Sequence, residues 1–117
     1  MTAMPGRILI VDDEEAILVA LRGLFTKEGY EVETASSGEE ALSSARDNDF
    51  AVVLLDGEMP GMDGFEVAAR IRQSPNGQTT PITFATALTD QEKVPKGYSL
   101  GADDYLFKPV VVEILRA

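Results

Sequence analysis

Two short stretches of this chain are almost wholly apolar, and each ends at an acid. Arg7-Ile8-Leu9-Ile10-Val11 runs into Asp12-Asp13-Glu14-Glu15, and Ala51-Val52-Val53-Leu54-Leu55 runs into Asp56. A strand with one solvated face alternates apolar and polar residues. One with no polar position has to be covered on both faces. Such strands belong to a parallel sheet sandwiched between helices, where ligands gather beyond the carboxyl ends of the strands. The stretch from Leu54 to Gly64, LLDGEMPGMDG, has this form: a strand delivers one carboxylate, a Gly/Pro-rich loop follows, and Asp63-Gly64 opens a helix.

The remaining segments fit the same plan. Met1 to Gly6 lacks periodicity and reads as a frayed lead-in. After the first strand, the acids 12–15 read as a solvated helix start favoured by the helix dipole. Ile17, Leu18, Leu21, Leu24 and Phe25 then recur at helical spacing, and Gly29 suits the C′ position. Glu31 to Ala35 is a short second strand whose Glu31 and Glu33 suit a sheet edge, since charge there discourages pairing with another chain. Ser37-Gly38-Glu39-Glu40 reads as a capping box, with Ser37 at the N-cap and Glu40 at N3, and Ala41, Leu42 and Ala45 face the sheet.

A third helix is expected from about Gly64 to Gln73, with Val67, Ala68 and Ile71 inward, and a loop from Ser74 to Thr80. Pro81 to Thr86 is a fourth strand, with proline at its start where a missing N–H is tolerated. Asp104 to Phe107 is a fifth. Pro95 lies in the helical segment between them and is expected to start that fourth helix late or to break it. Val111 to Ala117 begins a last helix that stops short, leaving Val110 to Leu115 as apolar surface unless more chain or a partner covers it. The expectation is a single doubly wound α/β domain over residues 1–117, excised from a larger protein, with helices on both faces of a five-stranded parallel sheet. The edge character of the second strand favours the order 2-1-3-4-5.

Composition removes several kinds of chemistry. The 117 residues contain no Cys and no His, so thiolate and imidazole metal sites, Ser-His and Cys-His nucleophile pairs and a histidine phospho-acceptor are absent. A formal charge of −10 argues against nucleic-acid binding by this domain. No apolar run approaches a membrane span and nothing resembles a signal peptide, so a cytoplasmic location is expected.

In the order 2-1-3-4-5 the first and third strands are neighbours, so Asp12, Asp13 and Asp56 converge at the switch point. Three carboxylates about 5 Å apart repel by roughly 3 kcal/mol per pair at an effective dielectric of about 20. Two compensators are available. A few carboxylates plus waters suit Mg²⁺, and Lys108, which follows the fifth strand, can pair with Asp56. Thr86, ending the fourth strand, can donate its hydroxyl to an anion on Asp56, and the small Ala87 leaves room for that anion. Each residue also has an ordinary reading. Asp56 can be a turn-former, Asp12 and Asp13 helix-start acids, Lys108 a solvated loop lysine, Thr86 a strand-end β-former and Tyr105 a half-buried core aromatic. Their joint placement at the ends of strands one, three, four and five is what makes coincidence a poor account.

The motifs ILIVDDEE, VVLLDGEMPGMDG, FATA and GADDYLFKP, in this order and spacing, resemble the receiver domains of two-component response regulators over nearly the whole chain. That resemblance implies a flavodoxin-like fold and a phosphorelay role. Asp56 would accept a phosphoryl group from a phosphohistidine on a histidine kinase or histidine phosphotransfer domain. Asp12, Asp13, Asp56 and the backbone carbonyl of Glu58 would hold Mg²⁺, Thr86 and Lys108 would contact phosphoryl oxygens, and Tyr105 would be the rotating switch aromatic. An output module elsewhere in a longer chain and a phosphorylation-dependent dimer also belong to the resemblance. The segment YLFKPVVVEILRA further resembles receivers joined to histidine-kinase or other signalling modules. Glu58 and Leu88, each two residues past a site residue, are expected to alter attack by water on the phosphorylated state. Two competing readings are an aspartate-nucleophile phosphatase of the haloacid dehalogenase type, whose D-x-D loop Asp56-Gly57-Glu58 imitates, and a degenerate receiver serving only as an interaction module.

Overall fold

The computed structural model describes residues 6–56, 59–75, 77–87 and 104–108, with side chains described up to Phe84. Five strands and three helices occupy these segments: β1 (Arg7–Val11), α1 (Glu15–Lys27), β2 (Glu31–Ala35), α2 (Gly38–Asp47), β3 (Val52–Asp56), α3 (Gly64–Gln73), β4 (Ile82–Ala87) and β5 (Asp104–Lys108). The strands form one parallel sheet in the order β2-β1-β3-β4-β5. This is the doubly wound arrangement expected from the sequence. The lead-in before Gly6, Glu58, Leu88, the fourth helical segment with Pro95 and the last helix lie outside the described residues.

Alternation along the apolar strands explains why they tolerate no polar residue. Leu9, Val11, Val53 and Leu55 are buried in one cluster with Ala41, Val67, Ala68 and Ile71 of α2 and α3. Ile8, Ile10 and Leu54 point the other way and are buried with Leu18 and Leu21 of α1. Each strand residue therefore removes its side chain from water on whichever face it meets, at about 1.5–3 kcal/mol per fully buried large aliphatic. Ile17 and Phe25 are half-buried at the margin of the second cluster, and Phe25 meets Tyr30 edge-on at 5.8 Å between ring centroids.

Local signals set most element ends. Helix α1 stops where Gly29 takes a positive φ of 96°, the C′ conformation that a residue without Cβ adopts at no steric cost. Ser37 caps α2 by accepting from the Glu40 N–H, as a capping box requires, but the Glu40 carboxylate reaches one residue further back than expected. It accepts from the backbone N–H and hydroxyl of Ser36 rather than from the N–H of Ser37. Asp63 caps α3 by accepting from the Glu66 N–H at 2.9 Å. Three strands have boundaries shifted by one residue from the sequence expectation. β3 starts at Val52, with Ala51 exposed in a bend, and includes Asp56; β4 runs from Ile82 to Ala87 with Pro81 just outside; β5 extends to Lys108.

Candidate functional site

The sheet register creates the site. Val11 pairs with Leu55 in the parallel ladder between β1 and β3, so the next residues, Asp12 and Asp56, come side by side at the carboxyl ends. Adjacent strands lie about 4.8 Å apart. Side-chain alternation puts both acids on the α1 side of the sheet, in phase with Ile10 and Leu54. Ligand oxygens of Asp12, Asp13 and Asp56 accordingly lie within 4.8 Å of one another. Asp12 is 2% exposed and Asp56 3%, while Asp13 faces solvent.

Burial of Asp12 corrects one detail of the sequence reading. Asp12 is not a solvated helix-start acid: it belongs to the interior end of the strand. Its backbone N–H donates to the Ala35 carbonyl at 3.1 Å, and its Oδ1 accepts from the Glu14 N–H at 2.9 Å. The second bond is an Asx turn that fixes the carboxylate just before α1 begins. Glu14 is the N-cap residue of α1, without a capping bond from its own side chain.

The loop after Asp56 returns to the core rather than wandering over the surface. Met59 is 8% exposed, Gly61 turns the chain with φ 76°, and Met62 packs against the α2/α3 cluster just before the Asp63 cap. Gly38, at the start of α2, meets this loop. A Cβ built there would lie 2.9 Å from Cγ2 of Val67 and 3.0 Å from Cβ of Met62. Sequence reading missed that contact, since Gly38 looked like part of a capping box and nothing local announces a partner on another loop.

The structure brings together the acids of β1 and β3. For the other predicted site residues it gives backbone placement. Asp56 pairs in register with Ala85, so Thr86 stands one residue further toward the carboxyl end of β4. Lys108 is paired with Ala87, and Tyr105 with Phe84, which puts Thr86 and Lys108 at the same end of the sheet as the acids. The side chains of Thr86, Tyr105 and Lys108, and the Glu58 carbonyl, lie outside the described residues.

A hard divalent cation fits this donor set. All three ligands are carboxylate oxygens, and two are buried, where like charges at about 5 Å cost most. Oxygens bound to one Mg²⁺ at about 2.1 Å lie at most about 4.2 Å apart. The observed spread of 4.8 Å is slightly wider than that limit. A cavity of about 200 Å³ between α2 and α3, lined by Leu42, Ala45, Arg46, Arg70, Ile71 and Ser74, includes none of these acids. Chemistry at an open strand end needs no enclosed cavity.

Comparisons with known proteins agree with this geometry. The family model for the response regulator receiver domain matches residues 8–117. The transcriptional regulatory protein SrrA of Staphylococcus aureus is 41% identical over 106 residues, covering 91% of this chain. The chain spans 43% of the length of that curated relative. Among solved structures, chemotaxis protein CheY4 of Vibrio cholerae superposes with a TM-score of 0.87 at 36% identity, covering 97% of this chain and 98% of that one. The receiver domain of a sensor histidine kinase from Pseudomonas aeruginosa PAO1 gives a TM-score of 0.81 at 29% identity, covering 94% and 93%, and that structure holds a magnesium ion in its active-site cleft. Among the described residues, no helix is long and apolar enough to cross a membrane.

Proposed function

This chain belongs to the response regulator receiver domain family, and from that premise we propose that it receives a phosphorelay signal on Asp56. The donor is a phosphohistidine on a histidine kinase or histidine phosphotransfer domain. One observation carries the reading: three acids from two neighbouring strand ends with ligand atoms within 4.8 Å of one another.

In the proposed reaction a carboxylate oxygen of Asp56 forms a bond to phosphorus as the P–N bond to the donor imidazole breaks, giving an aspartyl phosphate and free histidine. Asp12, Asp13, Asp56 and the Glu58 backbone carbonyl would hold Mg²⁺. When bound, that ion offsets negative charge on the transferring phosphoryl group. The chain's own contribution is placement. Strand register holds Asp56 beside Asp12, and the Glu14 N–H orients the Asp12 carboxylate. Neither acid has to be brought in by a loop movement, which suits a reaction that depends mostly on positioning and electrostatics. Lys108 adds positive charge at the same end of the sheet, and the Thr86 hydroxyl donates to a phosphoryl oxygen. Drawing Thr86 toward that oxygen vacates space into which Tyr105 rotates, biasing the fourth-helix and fifth-strand face between two states.

The unit acts on itself alone, promoting its own phosphorylation and dephosphorylation. We assign residues 1–117 to one receiver unit of a longer signalling protein with an output module, and a cytoplasmic location follows from the family's role. Phosphorylation of Asp56, by biasing the fourth-helix and fifth-strand face, provides a route to dimerisation.

Incubation with Mg²⁺ and acetyl phosphate, followed by intact mass, tests the assignment. The expected result is one Mg²⁺-dependent phosphoryl group per chain, absent from Asp56→Asn. Continuous phosphate release from varied monoesters would instead indicate a phosphatase, and no modification at all a degenerate interaction module.

A further inference from the structure

The segment from Ala35 to Gly38, which joins β2 to α2, touches Asp12 directly and, through Gly38, the loop that follows Asp56. On one side, the carbonyl of Ala35, the last residue of β2, accepts from the Asp12 N–H at 3.1 Å. On the other, Gly38 lies against the loop that follows Asp56. A Cβ at position 38 would stand 2.9 Å from Val67 Cγ2, 3.0 Å from Met62 Cβ and 3.1 Å from Met62 Sδ. These are not contacts that yield easily. Val67 is fully buried with a branched side chain stiff at χ1, and the Cβ of Met62 moves only with its backbone. Nor is a glycine needed here for its dihedrals, since positive φ among the described glycines occurs at Gly6, Gly29 and Gly61. Space is the reason.

The turn itself is held in place. Ser36 donates its N–H to the Glu40 carboxylate, and Ser37 accepts from the Glu40 N–H. The loop is held too, by buried Met59 at its start and the Asp63 cap at its end. Between these anchored segments, the Gly38–Met62 contact fixes how closely α2 approaches the chain leaving Asp56.

We infer that Gly38 and Met62 are positioning residues for phosphoryl transfer: within the register that the strands set, their close approach seats the loop after Asp56 and so fixes how the Asp56 carboxylate is presented beside Asp12. This rests on the reading of Asp56 as phospho-acceptor. A methyl at position 38 pushes Met62 and Val67 away from α2. The displacement moves residues 59–62 of the loop that follows Asp56, while Asp12 stays tied to Ala35. Misplacement of reacting groups by about 1 Å costs on the order of 10²-fold in rate, and a partial displacement costs less.

The test compares the whole chain with Gly38→Ala, Met62→Ala and Gly38→Ala/Val67→Ala. Phosphorylation by acetyl phosphate is timed at saturating Mg²⁺ and well below the unfolding temperature, alongside amide ¹⁵N spectra of the metal-free proteins. Gly38→Ala should react about 10-fold more slowly, with metal-free amide shifts reaching Asp56 and residues 59–64. Adding Val67→Ala relieves the helix contact but leaves Met62 Cβ in place, so the slow rate should persist. Met62→Ala should react about 3-fold more slowly.

A wild-type rate for Gly38→Ala, or full recovery on adding Val67→Ala, would overturn the inference and leave Gly38 a packing residue of α2 and α3. If Gly38→Ala does not fold, Met62→Ala decides alone, and a wild-type rate there overturns it equally. Failure of the unmodified chain to take up phosphate at Asp56 overturns the receiver reading instead. In that event the metal-free amide shifts alone decide whether the loop follows Gly38.

Discussion

The two ends of the sheet treat charge in opposite ways. At the amino ends of the strands, Arg7 gathers opposite and neutral partners. Its Nε lies 3.1 Å from Glu31, the guanidinium reaches Glu33 at 3.9 Å and donates to Asn48, and it sits 5.9 Å from the Phe50 ring centroid. At the carboxyl ends, Asp12, Asp13 and Asp56 are like charges within 4.8 Å, two of them buried. The first arrangement serves the fold, and the second works against it unless a cation or positive group offsets the repulsion. Charge that a protein keeps at a cost to its own stability marks the place where it does something.

Three measurements would break or sharpen that contrast. The largest effect is expected at the acidic end. Asp56→Asn removes one of the mutually repelling charges, so the metal-free protein should gain about 1–3 kcal/mol, a fraction of the pairwise repulsion. Chemical denaturation in the presence of a chelator reads this, and saturating Mg²⁺ should shrink the gain, because the wild-type cluster binds the ion better than the variant. A loss of stability without metal would mean that the acids are not in conflict.

At the opposite end, Arg7→Ala removes partly exposed ion pairs worth about 0–1 kcal/mol and a cation–π contact of about 0.5–1 kcal/mol. A total loss near 1 kcal/mol is expected, with no change in the rate of Asp56 phosphorylation. Slower phosphorylation at equal folded fraction would show that the two ends are coupled.

The smallest effect concerns an acid satisfied locally. Hydrogen bonds from the hydroxyl and then the backbone N–H of Ser36 hold the Glu40 carboxyl below its ordinary value. A depressed folded-state pKa adds stability that is present above the unfolded value of about 4.3 and lost as pH falls through the folded value. Because Glu40 is exposed, the contribution is small. Ser36→Ala should therefore lower the melting temperature slightly near neutral pH and flatten its decline below about pH 4.3. An unchanged acid limb would remove Ser36 as the cause.

Much of this molecule was legible before any coordinates. Continuous apolar runs identified β1 and β3, because residues covered on both faces leave no polar position to misread. Helical spacing and caps identified α1, α2 and α3, with Ser37 and Asp63 capping as short polar residues do. The acids at the strand ends pointed to one site because a parallel sheet gathers its carboxyl ends. Less legible were properties that belong to pairs of distant segments. Strand ends slipped by one residue at β3 and β4, since hydrogen-bond register rather than composition decides where pairing stops. Asp12 read as a solvated helix-start acid, although it is buried.

Fold class and strand order thus follow from periodicity, from where each apolar run ends and from the edge charges of β2, which are properties of residues near each other in the chain. Tertiary structure alone decided that Val11 pairs with Leu55, that Asp12 and Asp56 both fall on the α1 face of the sheet, and that Gly38 must lack a side chain because Met62 and Val67 occupy the space. The physical reason is the same in each case. Register and close packing are set by atoms far apart in sequence, and no local preference encodes what will be standing opposite.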